Sequence, residues 1–326
     1  MNTQAGNLDL MDRIDAVLGK IDGYVWGIPL IVLILAVGLL LTVRTGLIQV
    51  RHLPKALRYM LKNEEDGEGD VTSFGALCTA LSATIGTGNI VGVATAIAAG
   101  GPGALFWMEV AAFLGMATKY SEGLLAVKYR EIDSDGKVLG GPFYYIEKGM
   151  GKNWKWLAVL FAIFGMLVGI LGIGTMTQIN GITAAVQNFF DPDRAMTAFS
   201  LGEHSYAWPT VISGVLVTLF AALVIIGGIK RIAKVSEIIV PFMAVVYFVC
   251  GLILIICNIT KIPSAVVLIV QSAFSPKAAL GGAIGITIQS AMRNGIARGI
   301  FSNESGIGSA PIAAAAAKTK EPVRQG

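Results

Sequence analysis

The stretch SATIGTGNIVG, residues 82–92, decides how this chain is interpreted. It lies in the middle of an uncharged segment long enough to cross a membrane as a helix. Yet it places glycines and threonines where such a helix usually carries leucine, and glycine weakens a helix because ordering its backbone costs the most entropy. A similar cluster, RGIFSNESGIGS, occupies residues 298–309 of another long segment. The sequence therefore predicts two interrupted membrane helices.

The composition excludes an ordinary soluble protein. Of the 326 residues, 54% are hydrophobic and 14% are charged, whereas soluble domains carry about 25% charged residues. The three cysteines lie in apolar runs without a metal-binding spacing, and both histidines, His52 and His204, fall outside the apolar segments. The sequence thus predicts a multi-pass protein of the cell membrane, without a disulfide framework or a metal centre.

The apolar segments divide the chain into an amphipathic N-terminal segment, residues 1–23, and a single transmembrane domain, residues 24–326. A span needs about 20 mostly apolar residues. The predicted spans are 25–43, 72–99, 103–127, 155–187, 208–229, 235–257 and 279–317. Residues 264–274 are apolar but too few to cross, which predicts a helix at the membrane interface.

Positive charge alternates along the connections between these spans. The positively charged connections and tail are 44–62, 128–155, 230–234 and 318–326. The alternate connections contain only Arg194, Lys261 and Lys277. Because Lys and Arg concentrate in cytoplasmic loops, this pattern predicts an N-terminus outside the cell and a C-terminus in the cytoplasm.

Interrupted helices have a chemical use in membranes. Unwound backbone is tolerated at membrane depth only where it lies within protein or lines a cavity. It exposes N–H groups that suit a carboxylate and carbonyl groups that suit a cation, and paired interruptions of opposite direction are typical of secondary transporters with inverted repeats. The alternative is that the small residues serve only close helix packing.

Longer motifs resemble those of a known family. TIGTGNIVGVATA (84–96), GMATKYSEGLLAVKYR (115–130), GGPFYYIEKG (140–149) and RGIFSNESGIGSAPIAAAAAKT (298–319) are similar to the alanine or glycine:cation symporters. The resemblance implies an all-α fold of the LeuT-like inverted-repeat type in a prokaryotic inner membrane. It also implies symport of a small neutral amino acid, alanine or glycine, with Na⁺ or sometimes H⁺.

The resemblance and the position of the first interruption together assign roles to its residues. The backbone amides of Thr87, Gly88 and Asn89 open the second half-helix and are expected to bind the substrate carboxylate. The carbonyl groups expected at the cation site are those of Ala83, Thr84 and Gly86. The expected coupling ion is Na⁺, with H⁺ as the alternative, and no further cofactor is expected.

Other polar residues are assigned with alternatives. Gln178 resembles the family's substrate-facing polar residue, and the alternative is a hydrogen bond between helices. Phe301 is expected to form an apolar wall of the pocket, while Asn303 binds substrate or stabilises the second interruption. Arg298 and Glu304 are expected to form an internal pair or a hydrogen-bonded cap, with Glu304 as a proton carrier the alternative.

Two further expectations concern charge and length. Lys119 and Glu122 are three residues apart near the end of the third span, which predicts a local ion pair. Members of the family continue after the KT motif with four more helices, so the resemblance implies a fold truncated after the first helix of the second repeat. A non-transporting fragment of such a symporter is therefore an alternative function.

Rival functional classes lack their signatures. A channel needs a ring of repeated ligands, and the sequence shows a single pair of interruptions. An enzyme is not expected, because neither HExxH nor GxSxG occurs. The basic residues are explained by membrane topology, so a nucleic-acid partner is not expected either. The predicted partners are a small neutral amino acid, Na⁺ and the lipid bilayer.

Overall fold

The computed structural model describes residues 3–25, 27–61, 67–172, 174–201, 204–274 and 288–326. The helices are α1 Thr3–Val25, α2 Ile28–Arg44, α3 Ile48–Arg51, α4 Leu53–Leu61, α5 Ser73–Thr84, α6 Val91–Gly100, α7 Gly103–Lys128, α8 Pro142–Met150, α9 Lys155–Leu171, α10 Thr175–Phe190, α11 Trp208–Ile225, α12 Gly228–Cys257, α13 Ile262–Phe274, α14 Ile288–Asn303, α15 Ala310–Ala315 and α16 Pro322–Gln325. Short 3₁₀ turns cover Thr87–Asn89, Lys152–Trp154 and Ile259–Lys261. Two antiparallel hairpins complete the described part, β1 Glu131–Ile132 with β2 Val138–Leu139 and β3 Thr197–Leu201 with β4 His204–Ala207.

Within the described residues, four helical segments are long and apolar enough to cross a membrane. They are Asp12–Arg44, Lys152–Phe190, Trp208–Ile225 and Gly228–Cys257. The bent pair Ser73–Thr84 and Thr87–Gly100 makes a fifth if it is counted as one span. The sequence predicted seven spans. The third predicted span, α7, is not among these segments, and part of the seventh, 279–287, lies outside the described residues. α7 is long enough, at 26 residues, but carries charged side chains and is packed among other helices.

The predicted fourth span is two helices rather than one. α9 ends at Leu171 and α10 begins at Thr175. Between them Gly172 and Gly174 adopt positive φ angles of 62° and 90°, conformations that glycine reaches at little steric cost. The predicted span 155–187 thus lies within the span-length segment Lys152–Phe190, and its helix is interrupted at these glycines.

Both predicted interruptions are present. α5 ends at Thr84, the backbone extends at Ile85 and Gly86, and α6 follows the short turn at a bend of 59°. α14 ends at Asn303, and residues 304–309 form an irregular turn before α15. In that turn Glu304, Gly306 and Gly308 have φ angles of 51°, 84° and 89°. We call residues 85–90 the first break and residues 304–309 the second break.

The two broken segments pack around α7. α14 lies along α7 and also against α6, while α15 contacts both α5 and α7. Small residues allow this approach: a Cβ at Gly299 would lie 3.1 Å from the carbonyl oxygen of Met108. A buried cluster of Ile31, Ala111, Ile296 and Ile300 joins α2, α7 and α14. The breaks are thus held by a packed three-helix framework.

The short apolar segment 264–274 is helical, as expected, and belongs to α13. The indole nitrogen of Trp107 on α7 donates a hydrogen bond to the carbonyl oxygen of Ala273 at 3.1 Å. Phe274 lies 5.1 Å from Phe106 and 5.7 Å from Trp107, ring centroid to centroid. α13 therefore docks on the first turns of α7, and its position at a membrane interface stays a prediction.

Candidate functional site

Side chains of α14 join the second broken segment to the first break. The guanidinium of Arg298 donates a hydrogen bond to the carbonyl oxygen of Gly88. One turn further along α14, the hydroxyl of Ser302 donates to the side-chain oxygen of Asn89. Residues separated by more than 200 positions in the chain are therefore brought together at the first break.

Unpaired backbone groups are available at the first break. Among the described residues, the N–H groups of Thr87 and Gly88 have no hydrogen-bond acceptor. The N–H of Asn89 instead donates to the carbonyl oxygen of Gly86 at 3.0 Å. Two of the three predicted substrate-binding amides are thus free in this conformation, and the amide of Asn89 is engaged within the break itself.

The carbonyl groups assigned to the cation lie at the end of α5. Within the described part of the chain, the carbonyls of Ala83 and Thr84 accept no backbone N–H, because the helix stops there. The Thr84 hydroxyl is used by its own helix, donating to the carbonyl oxygen of Ala80 at 2.9 Å. The carbonyl of Gly86 accepts from Asn89 and keeps one lone pair. Backbone oxygens, rather than the hydroxyl, are therefore the groups offered to a cation.

Gln178 faces the first break from α10. A Cβ at Gly86 would lie 2.9 Å from the Oε1 atom of Gln178, so the amide rests directly on that glycine. One turn on, a Cβ at Gly181 would lie 3.2 Å from the Cγ2 atom of Thr87. The structure thus places Gln178 against Gly86, the residue that precedes the free amides of Thr87 and Gly88.

Phe301 and Asn303 face different cavities. Phe301 lies 5.4 Å from the Arg298 guanidinium carbon, ring centroid to Cζ, and both line a cavity of about 410 Å³ between α6 and α14. Asn303 lines a larger cavity of about 970 Å³, which also contains Thr84. Of the predicted substrate residues, Phe301 and Asn303 therefore line different cavities, and the other four line neither of the two.

Among the described residues, the expected ion pairs near the second break do not form. The Glu304 carboxylate accepts a hydrogen bond from the Ser309 hydroxyl at 2.8 Å, while Arg298 donates to the carbonyl oxygen of Gly88. Of the two alternatives for Arg298 and Glu304, the hydrogen-bonded cap is thus present for Glu304. In the same described part, no ion pair joins Lys119 to Glu122, and the Oε2 atom of Glu122 has no hydrogen-bond partner.

A cluster around Arg130 was missed from the sequence. Its guanidinium donates to the carbonyl oxygens of Ala315 at 2.8 Å, Ala317 at 2.6 Å, Glu68 at 2.6 Å and Thr319 at 3.2 Å. One side chain thus joins the end of the second broken segment to the residues that precede α5. The sequence interpretation had assigned all basic residues here to membrane topology, although Arg130 closes one of the quoted motifs.

Neighbouring groups stabilise this cluster. Burial lowers the pKa of Arg130, while the nearby carboxylates of Glu68 and Asp70 act in the opposite direction. Asp70 also accepts a hydrogen bond from the N–H of Val138 at 3.0 Å, which anchors the β1–β2 hairpin. The cluster therefore ties three parts of the chain together at one end of the broken helices.

These features define a class. The chain is a helical membrane protein with several span-length apolar helices and two broken segments that meet at free backbone groups. This arrangement is the one that secondary transporters use for binding at the membrane midplane.

Comparisons identify the family. The family model described as the sodium:alanine symporter family matches residues 11–326, and the chain belongs to that family. An uncharacterized transporter of Haemophilus influenzae is 56% identical over 96% of this chain and 65% of its own length. Sodium/alanine symporter AgcS of Methanococcus maripaludis is 47% identical over 95% of this chain and 65% of its own length. The putative sodium/proton-dependent alanine carrier protein YrbD of Bacillus subtilis is 41% identical over 95% of this chain and 59% of its own length.

The resemblance inferred from the motifs is thus confirmed at the level of the family, which is one of transporters and not of enzymes. The chain spans just under two thirds of the length of the relatives named above.

Proposed function

We propose that the protein performs cation-coupled symport of a small neutral amino acid such as alanine or glycine. The observation that carries this proposal is the pair of free N–H groups at Thr87 and Gly88 in a break whose Gly86 contacts the side-chain amide of Gln178. Together these donors match the two oxygens of an amino-acid carboxylate. The names of two relatives, the M. maripaludis symporter and the B. subtilis carrier, refer to alanine and sodium, which supports the same substrate class.

The coupling ion in this proposal is Na⁺, held by the carbonyl oxygens of Ala83, Thr84 and Gly86. Hard cations prefer oxygen ligands, and the end of α5 presents carbonyl oxygens with free lone pairs. The ion and the carboxylate then bind on opposite sides of the same break. Binding of one therefore favours binding of the other, which is what coupling requires.

The free energy of a cation gradient is sufficient to accumulate the amino acid inside the cell. Moving one charge through 100 mV supplies about 2.3 kcal/mol, and a tenfold ion gradient adds about 1.4 kcal/mol. The sum corresponds to accumulation of roughly several hundred-fold.

The proposal includes a LeuT-like inverted-repeat arrangement in the inner membrane, with the N-terminus outside and the C-terminus in the cytoplasm. The paired breaks and the alternation of positive charge support it. Alternating access would then move one broken helix against the other while the break residues hold the ligands.

Uptake of radiolabelled alanine into proteoliposomes tests the proposal, with an inward Na⁺ gradient and a K⁺ gradient as the control. We expect Na⁺-dependent uptake that Gly88→Leu abolishes while the protein still inserts into the membrane. Gly169→Leu is the matched control, because Gly169 is exposed on α9 with no atom within 4 Å of its Cβ position. Normal uptake by Gly88→Leu contradicts the placement of the site. A large current without substrate favours a channel, and inactivity of the wild type favours a non-transporting fragment.

A further inference from the structure

A buried carboxyl group lies beside the second break. Glu122 on α7 is only 9% exposed and lines the 970 Å³ cavity. Its Oε2 atom is buried and has no hydrogen-bond partner among the described residues. Burying an ionised carboxylate without a partner for its oxygen costs several kcal/mol, so such a group usually binds a proton and becomes neutral.

Each neighbouring element contributes polar or charged groups around Glu122. Gly306 and Glu304, both in the second break, lie near the carboxyl group. Lys119 lies one turn earlier on α7, and Tyr145 approaches from α8. α16 packs on the same end of α7, and its Arg324 is ion-paired with Glu321 at 3.1 Å.

The charges in this group do not balance. Lys119 is one ammonium facing two carboxyl groups, those of Glu122 and Glu304. Glu304 accepts a hydrogen bond from the Ser309 hydroxyl at 2.8 Å. Glu122 has an oxygen without a donor. A single ammonium therefore neutralises one of the two acids, and the unsatisfied oxygen identifies Glu122 as the acid that takes up a proton.

We propose that Glu122 is a proton-binding site, protonated while the second break packs against α7 and ionised when that contact opens. On opening, the O–H bond of the carboxylic acid breaks and the proton passes to water, which leaves the carboxylate hydrated in the cavity. On closing, a proton from water re-forms the O–H bond. The site gives the symport proposed above a dependence on pH, and that part of the inference rests on the proposed function.

Infrared spectroscopy tests the site without any transport. The wild-type protein in lipid is expected to show the C=O stretching band of a buried protonated carboxyl group at neutral pH. Glu122→Gln keeps the shape of the protonated side chain and should remove this band, whereas Glu304→Gln should retain it. An unchanged band in Glu122→Gln overturns the proposal. If added Na⁺ abolishes the band at constant pH, the proposal is also overturned, because Glu122 would then belong to a cation site.

A chemical probe on the unmodified protein makes the test independent of any variant. A hydrophobic carbodiimide reacts with protonated carboxyl groups in apolar surroundings, and mass spectrometry of the digested protein locates the adduct. We expect labelling of Glu122 that declines several-fold as the pH is raised. No labelling at Glu122, or labelling that does not change with pH, contradicts protonation at this site.

Alanine uptake at a series of pH values tests the functional consequence. Wild-type uptake should change several-fold across the series, and Glu122→Gln should transport at a rate that is nearly independent of pH. If the wild type takes up no alanine while the infrared band and the labelling behave as expected, the proposed function fails and the proton site stands. If the wild type and Glu122→Gln share one pH profile, the link between this site and transport is refuted.

Discussion

The guanidinium of Arg298 lies over Gly88 and Gly92 and donates a hydrogen bond to the carbonyl oxygen of Gly88. A Cβ at Gly88 would lie 2.8 Å from its Nη2 atom, and one at Gly92 would overlap the guanidinium itself. Two glycines four residues apart thus form a slot for one arginine of the other broken segment. The slot explains why small residues recur along this face of α6, and it fixes α6 against α14.

Gly92→Ala is expected to displace Arg298 and to lower uptake by about tenfold or more, since about 1.4 kcal/mol of lost stabilisation is tenfold. The added methyl group occupies the place of the guanidinium, so the hydrogen bond to Gly88 is lost and the first break changes its conformation. Uptake of labelled alanine, normalised to inserted protein, measures the effect. Gly165→Ala is the control, because its Cβ would meet no atom within 4 Å. Equal uptake by both variants would show that the slot has no role in transport.

Gln178→Met is expected to raise the KM for alanine by about tenfold, which matches the loss of one charge-assisted hydrogen bond of about 1.5 kcal/mol. Methionine has a similar length but donates no hydrogen bond, so it would still rest on Gly86 while losing the contact with the substrate carboxylate. Kinetics of uptake measure KM and the maximal rate separately.

The alternative role of Gln178, a contact between helices, gives a different result in the same variant. Thermal unfolding in detergent would then shift to lower temperature, while the KM of the folded fraction stayed that of the wild type. A double variant with Gly86→Ala, whose Cβ would lie 2.9 Å from the Oε1 atom of Gln178, tests whether the two positions act together.

The two breaks could be predicted from the sequence because glycine and polar residues are conspicuous in apolar segments. The bends at residues 85–90 and 304–309 lie within the predicted clusters. The split of 155–187 into two helices was missed, because Gly172 and Gly174 stand in a run that is otherwise apolar. Isolated glycines occur in many continuous membrane helices, so composition does not distinguish a packing glycine from one with positive φ.

Partners of charged residues were predicted less well than their positions. Sequence spacing suggested pairs between Arg298 and Glu304 and between Lys119 and Glu122. The structure instead directs Arg298 to a carbonyl of the other broken segment and leaves the Oε2 atom of Glu122 without a partner among the described residues. Such contacts depend on how two helices pack against each other, which the spacing of residues along one helix does not determine.

Thr72→Ala is expected to destabilise the protein by about 1–2 kcal/mol, the usual cost of removing a helix N-cap together with a hydrogen bond. The Thr72 hydroxyl caps α5 by accepting from the N–H of Gly75 at 2.9 Å, and it donates to Glu237 on α12 at 2.5 Å. Thermal unfolding in detergent measures the change. Thr72→Ser keeps both hydrogen bonds and should retain nearly all of the wild-type stability. If serine and alanine are equally destabilising, the threonine methyl group rather than the hydroxyl is the important part.

Arg130→Lys is expected to destabilise the protein by about 2–3 kcal/mol, because hydrogen bonds to charged groups contribute about 1.5–3 kcal/mol. The planar guanidinium reaches four carbonyl groups on two separate segments. A single ammonium keeps the charge but lacks this fork of donors, so some of the carbonyls lose their partner.

Limited proteolysis of the segments near Glu68 and Thr319, together with thermal unfolding, measures the result for Arg130→Lys. Lys137→Ala is the control, since the Lys137 side chain is 73% exposed and its ion pair with Asp135 is long, at 4.0 Å; such surface changes usually stay within about 0.5 kcal/mol. Faster cleavage at both segments in Arg130→Lys, and in neither segment of Lys137→Ala, would show that one arginine holds the start of the first broken helix to the end of the second. Unaltered cleavage and stability in Arg130→Lys would mean that the backbone bridges Glu68–Thr319 and Val71–Ala317 hold these segments without it.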